Sequence, residues 1–470
     1  MHIDKSIVRK VENALRFSTA EGMAYGTMLG FGDNFIVAFA VALQTSNLQI
    51  GILCSVPGFL ASIAQLWDVE LVRILKSRKA LVLIGALLQG LMFLPILGLA
   101  YFPGASNGWW LILFTSIYSI SAALTSPAWG SIMAEVVPDN LRGKYFSVRG
   151  SLSTLANTIA FLAGGVLLTF LAHKALWGFV FLFGAAFLAR IISCGLLTKL
   201  FEFPLKEKLQ VHSKRGDFAR GLTATNLGKY MLFLFSMNFA VNIASPYFAV
   251  YQLQDLKMSY FVFAALGTAS SVATLLTMTR WGRAADRIGN LKVMYATSVL
   301  VPLIPLLWLV STNLVYLIVV QVFSGLAWAG FNLCSVNYLY DATGAGDRTR
   351  YLAYFNCGNG LAAGAGALLG GFLITHMPAL MGYQVLSIFL ISGILRGAAC
   401  IIFLPRLKEV RKVSKVPAAQ LFHILTGGRP VDRRLSHRRI SFFHHHEPGI
   451  DDVSKTTAAQ SKIPGNITSV

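Results

Sequence analysis

Asp33 is the one carboxylate that falls well inside a long apolar stretch of this chain; Glu21, Asp68, Glu70, Glu135 and Asp341 sit nearer the ends of theirs. A carboxylate held out of water loses the solvation of its charged form, which suits it to taking up and releasing a proton. Asp33 is therefore a candidate proton carrier or cation contact. The alternative is a carboxylate permanently bonded to a neighbouring helix, with no chemistry to do. Two arginines, Arg190 and Arg396, also lie near the middle of apolar stretches, 206 residues apart. An arginine at such a depth costs roughly 2.5–3.5 kcal/mol, so it marks either an anion site or a structural contact. In the structural case its guanidinium reaches headgroups or caps a neighbouring helix.

The elements that must position these groups are membrane spans. Of 470 residues, 55% are hydrophobic and 13% charged, and mean hydropathy is +0.62; a soluble domain carries about 25% charged residues. Stretches long enough to cross a hydrocarbon core of about 30 Å occur twelve times, near 17–43, 48–67, 80–101, 109–133, 148–171, 177–198, 230–253, 259–279, 292–310, 314–340, 351–375 and 383–404. Lipid satisfies no backbone amides, so these predict helices and an all-α membrane protein. The gaps between them alternate: every second one is nearly free of Lys and Arg, with only Lys174 and Lys257. Basic loops stay inside, so both termini are expected in the cytoplasm. The net charge of +20 is then a signal of topology, with anionic headgroups as neighbours and no nucleic acid. The opening residues 1–16 read as a basic cytoplasmic lead-in without a removable signal. Residues 199–229 read as a basic linker between two bundles of six (17–198 and 230–404), and 405–470 as a basic, disordered tail.

The five cysteines lack CxxC spacing and lie within apolar stretches, and His444, His445 and His446 stand in the polar tail. No metal, cofactor or disulfide framework is expected. The sequence carries no Walker loop, GxSxG elbow or HExxH, so an enzyme is not expected.

A shift of 206 superposes Arg190 on Arg396, Arg142 on Arg348, Glu135 on Asp341 and Tyr145 on Tyr351. It also lays Gly164 and Gly165 on Gly370 and Gly371, while a shift of 208 lays Asn34 on Asn242. The halves are one unit written twice in the same orientation, the plan of secondary transporters whose solute sits at mid-membrane between them.

After the eighth stretch comes Gly282-Arg283-Ala284-Ala285-Asp286-Arg287-Ile288-Gly289-Asn290-Leu291-Lys292. It is similar to the GxxxDxxGxx[RK] cytoplasmic loop of the major facilitator superfamily, which the chain resembles over about 17–405. The loop after the second stretch keeps Asp68 and Arg73, but Ala64 and Leu71 replace its glycines. The resemblance implies the twelve-helix fold of two pseudo-symmetric bundles. It implies that Asp286 closes an inner gate against a helix N-terminus of the other half. Glu135, Arg142, Asp341 and Arg348 would form further gate charges, or else simple solvated loop charges. The first and fourth helices of each half are implied to line the cavity. Asn34 and Asn242 would then hydrogen-bond solute beside Asp33, with Gln44, Ser126, Trp129, Tyr247, Tyr251, Asn332 and Asn337 as further lining candidates or ordinary interhelical contacts. The same plan puts the helices of Arg190 and Arg396 at the periphery, which favours their structural role. The expected function is a permease carrying a small solute by alternating access, coupled to protons, as a monomer in a bacterial inner membrane. A receptor or assembly protein that has kept the fold and lost transport is the alternative; deleting the tail would spare flux in the first case and remove a partner in the second.

Overall fold

The computed structural model describes residues 5–101, 104, 106–137, 142–202, 225–343 and 348–410. Most of the expected linker and nearly all of the expected tail, including His444–His446, lie outside them. Twelve helices among the described residues are long and apolar enough to cross a membrane. They are α1 (Asn13–Ala42), α2 (Asn47–Ala64), α3 (Arg78–Gly98), α4 (Asn107–Val136), α5 (Tyr145–Phe170) and α6 (Leu176–Leu197) in the first half. In the second are α7 (Asn226–Asp255), α8 (Tyr260–Ile288), α9 (Asn290–Leu307), α10 (Leu314–Ala342), α11 (Tyr354–His376) and α12 (Gln384–Arg406).

The halves pack alike. In the first, α1 lies on α5 and α6, while α4 packs on α2 and α3; in the second, α7 lies on α11 and α12, while α10 packs on α8 and α9. The seam between them repeats too, as α2 against α11 and α5 against α8. Close approach there requires glycine: a Cβ on Gly165 would stand 2.5 Å from that of Ala264, and one on Gly51 3.1 Å from the Cα of Gly371. Small residues at such crossings bring backbones together where lipid offers no hydrophobic drive.

An even number of crossings puts the start of α1 and the finish of α12 at one end, called proximal here; the turn between α1 and α2 lies at the distal end. Distally the halves touch. Tyr247 Oη donates to the carbonyl of Asn47 (3.3 Å), and the Phe261 N–H donates to Thr169 Oγ1 (2.8 Å). Phe263 of α8 packs on Phe35 and Phe161, with ring centroids 6.2 and 5.6 Å apart.

A membrane helix holds its own backbone bonds, so its interruptions need local causes. The first falls at Gly32 (ψ −85°), where the helix from Lys5 to Phe31 gives way to a single tight turn, Asp33–Phe35, before resuming at Ile36. That break offers Asp33 and Asn34 to their neighbours. In α9, Pro302 and Pro305 lack the N–H of an intact helix, and the segment divides into Asn290–Leu300 and Leu303–Leu307.

Candidate functional site: a polar core between two bundles

Asp33 is half-buried and accepts a hydrogen bond from the hydroxyl of Tyr118 on α4, itself 4% exposed. Arg190 on α6 lies within electrostatic reach of Asp33. Its guanidinium donates to Ser193 Oγ (3.0 Å), approaches Glu21 Oε1 (3.9 Å) and covers the ring of Tyr25 at 4.9 Å. Glu21, 4% exposed, accepts from Arg149 (2.6 Å) and Ser193 (3.0 Å). Arg149 also donates to the carbonyl of Ser18 and stacks over Trp129 at 4.2 Å. Two acids and two bases thus balance within the first bundle, as buried charges must. The sequence placed Glu21 near a helix end and drew nothing from it. In three dimensions it joins α1 to α5 and α6.

Arg396, the repeat mate of Arg190, is set differently. It is 2% exposed and its guanidinium donates to the carbonyls of Val301 (3.3 Å) and Val241 (3.4 Å). Val301 lies four residues before Pro305, which has no N–H to give it, so its carbonyl is shared by the Ile304 N–H (3.3 Å) and Arg396.

The amides fall into two bridges. Asn34 Nδ2 donates to Asn157 Oδ1 of α5 at 2.9 Å. In the second half Asn238 Nδ2 donates to Asn359 Oδ1 of α11 at 2.6 Å, and Asn242 donates to the backbone carbonyl of Asn238 at 2.9 Å. Ser126 and Asn332 are exposed, while Trp129 and Asn337 are half-buried. Gln44 is exposed in the distal turn with φ of +58°, away from the seam's middle. Tyr247 and Tyr251 are almost fully buried; Tyr247 contributes to the distal seam, and Tyr251 packs against Trp308, Tyr383 and Phe389. Both belong to the hydrophobic cluster of the distal half.

At the proximal end the charges pair in a way the repeat did not suggest. Arg78, at the start of α3, forms a two-pronged bond with both oxygens of Glu135 (2.8 Å each) and reaches Ser131 at 2.9 Å. Its partner acid is thus at the end of α4; the side chains of Arg142 and Arg348, the other expected gate charges, lie outside the described residues. Glu202, just past α6, accepts from Ser77 Oγ (2.8 Å) and from the N–H groups of Arg78 (2.8 Å) and Lys79 (3.3 Å). Burial acts to raise its carboxyl, but these bonds and the Arg78 guanidinium outweigh that and hold it below the usual carboxylate range. The second half repeats the plan with other side chains: Asn290 at the start of α9 donates to Asp341 at the end of α10 (2.7 Å), and Glu409 past α12 accepts the Leu291 N–H (2.8 Å).

In the loop after α8, Gly289 has φ of +100°, turning the chain from α8 into α9. Gly282 lies within α8, Asp286 is exposed on its last turn and Lys292 is half-buried at the start of α9. In the degenerate counterpart, Arg73 pairs with Glu70 (2.6 Å) on the short helix Asp68–Leu75, and not with Asp68. Asp68 itself is 8% exposed, its Oδ1 has no hydrogen-bond partner among the described residues, and burial pushes its carboxyl up to about 6.

These features meet a family pattern. The family model of the Major Facilitator Superfamily matches residues 23–252 and again 230–440. Among solved structures, a mutant of the nucleoside transporter NupG superposes with a TM-score of 0.66 at 14% identity, covering 85% of this chain and 100% of that one. A D-xylose-proton symporter gives 0.64 at 14% identity, with 86% and 100% covered. The xylose transporter XylE from E. coli, in a partially occluded inward-open conformation, gives 0.63 at 14% identity, with 87% and 100% covered. No curated protein matches the sequence. Two matched halves that share their packing, their seam and their proximal clamps leave one assignment: the chain belongs to the Major Facilitator Superfamily.

Proposed function

We propose that this secondary transporter moves a small solute by alternating access and couples the movement to protons through Asp33. The observation that carries this reading is the break in α1, which sets a half-buried carboxylate at mid-span beside Tyr118 and within reach of Arg190. A group there can exchange a proton with the passage while its charged form keeps a hydrogen-bond donor and a nearby cation. The distal seam is closed, and the exposed Ser126 and Asn332 lie on helices that pack within their own halves; both suit a passage that opens proximally. By the bias of basic loops, that side faces the cytoplasm of a bacterial inner membrane. A passage between the two halves of a single chain suits a monomer. The role is transport rather than catalysis, and the receptor alternative loses ground to the family's own function.

Reconstitution into vesicles tests the coupling. Asp33→Asn should abolish accumulation driven by a proton gradient while leaving solute exchange between equal pools. Accumulation that survives with its pH dependence intact would rule out Asp33 as the carrier.

A further inference from the structure

The two amide bridges point to the class of solute, an inference that rests on the transport reading above. Asn34–Asn157 ties α1 to α5, and Asn238–Asn359 ties α7 to α11, the same pair of helices in each half. All four residues are half-buried, so each bridge presents surface as well as holding its bundle together. A carboxamide has two donor hydrogens and a carbonyl that accepts twice. The bridging bond uses one donor of one residue and the carbonyl of the other. What remains on each bridge is an amide carbonyl beside an amide N–H₂, an acceptor and a donor side by side. That pattern matches groups that both give and take a hydrogen bond, as adjacent hydroxyls do.

The bridges are not at equal depth. The repeat lays Asn34 on Asn242, and Asn238 is four residues earlier; Asn157 falls on Ala363, and Asn359 is likewise four earlier. Both helices of the second bridge run from the proximal end, so that bridge is one turn, about 5.4 Å, nearer to it. A solute spanning the seam would meet one bridge above and the other below, in the manner of a sugar ring lying aslant. Charge argues the same way. Arg190 and Arg396 are each 2% exposed and engaged inside their own bundles, so neither is placed to neutralise an anion at the seam. Asp33 already takes the Tyr118 hydroxyl. We infer that the solute is an uncharged polyhydroxyl compound, a sugar or a ribonucleoside, held through its hydroxyls by the Asn34–Asn157 and Asn238–Asn359 bridges.

Calorimetric titration of the full chain in lipid nanodiscs with D-xylose and uridine tests this. The wild type should bind at least one of them, and Asn157→Leu and Asn359→Leu should each weaken that binding about tenfold or more, the effect of one lost hydrogen bond. Should a leucine variant fail to fold, Asn157→Ser and Asn359→Ser serve instead. Should uridine be the ligand, 2′-deoxyuridine should bind the wild type correspondingly weakly. Variants that bind as the wild type does overturn the inference. So does a wild type that ignores both probes yet carries charged solutes such as choline or gluconate in vesicles, a result that leaves the transport reading standing. Vesicles that carry no solute of any class overturn both.

Discussion

Asp68 and Glu21 are two buried acids with opposite circumstances, and their variants should behave oppositely. Asp68 lacks a partner on one oxygen, and burial lifts its carboxyl from 3.8 to about 6. The folded protein therefore holds a proton there that the unfolded chain has released. Stability from this group falls as pH rises through that window, and the cost is fully present above it. Asp68→Asn should raise Tm at neutral pH and change it little near the acid end of the window; an increase equal at both ends would contradict the assignment. Glu21, by contrast, is the shared acceptor of Arg149 and Ser193 beside Arg190. Glu21→Gln leaves two buried guanidinium groups undercompensated and should cost about 3–5 kcal/mol of unfolding free energy. Replacing Arg149 by Met in the same chain should recover part of that loss, and a strictly additive double variant would show that the two do not act as a pair.

Each half closes its proximal end with one construction: a carboxylate past the last helix caps the start of the third, and an acid ending the fourth helix holds the third helix's first residue. In the first half these are Glu202 and Glu135 on Arg78; in the second, Glu409 on Leu291 and Asp341 on Asn290. Glu202→Gln should free the first turn of α3, at a cost of about 1–3 kcal/mol, visible as faster amide exchange at Arg78 and Lys79. Its carboxyl sits below the usual range, so this support is present at neutral pH and fades as pH falls through its folded value. Unchanged exchange at those two amides would remove the capping role. Hydropathy alone located all twelve spans, because length and apolarity are demanded by the bilayer and not by any partner. The clamps were harder to read. Glu202 and Glu409 lie just outside the apolar stretches, in segments without period, and their meaning comes only from contacts with residues more than 100 positions away. Asn157 was hidden for a different reason: it sits in a stretch that reads as glycines and packing, and an amide there is informative only once Asn34 is opposite. Asp33 stood out because a carboxylate in lipid is costly, whatever faces it.

The seam has two unlike ends, and this bears on how the halves move. Distally, α5 and α8 are joined by the Phe261 N–H to Thr169 bond and by the Phe161–Phe263 contact, and α2 and α7 by Tyr247 on Asn47. Transport by alternating access requires these contacts to part once per cycle, since a solute held between the bundles must be released on that side too. They are neutral, as a joint that opens repeatedly should be; among the described residues none is an ion pair whose separation in lipid would be expensive. Joining Thr169 to Phe261 should therefore stop the cycle without harming the fold. In a chain whose five native cysteines are replaced, Thr169→Cys with Phe261→Cys can be bridged by a short bifunctional thiosulfonate. Flux should fall to background and return on reduction, while a cysteine at Ser126 keeps its reactivity toward reagents from the proximal side throughout. Flux that continues through the bridged protein would mean that α5 and α8 never separate, and the rocking of one bundle against the other would have to be abandoned.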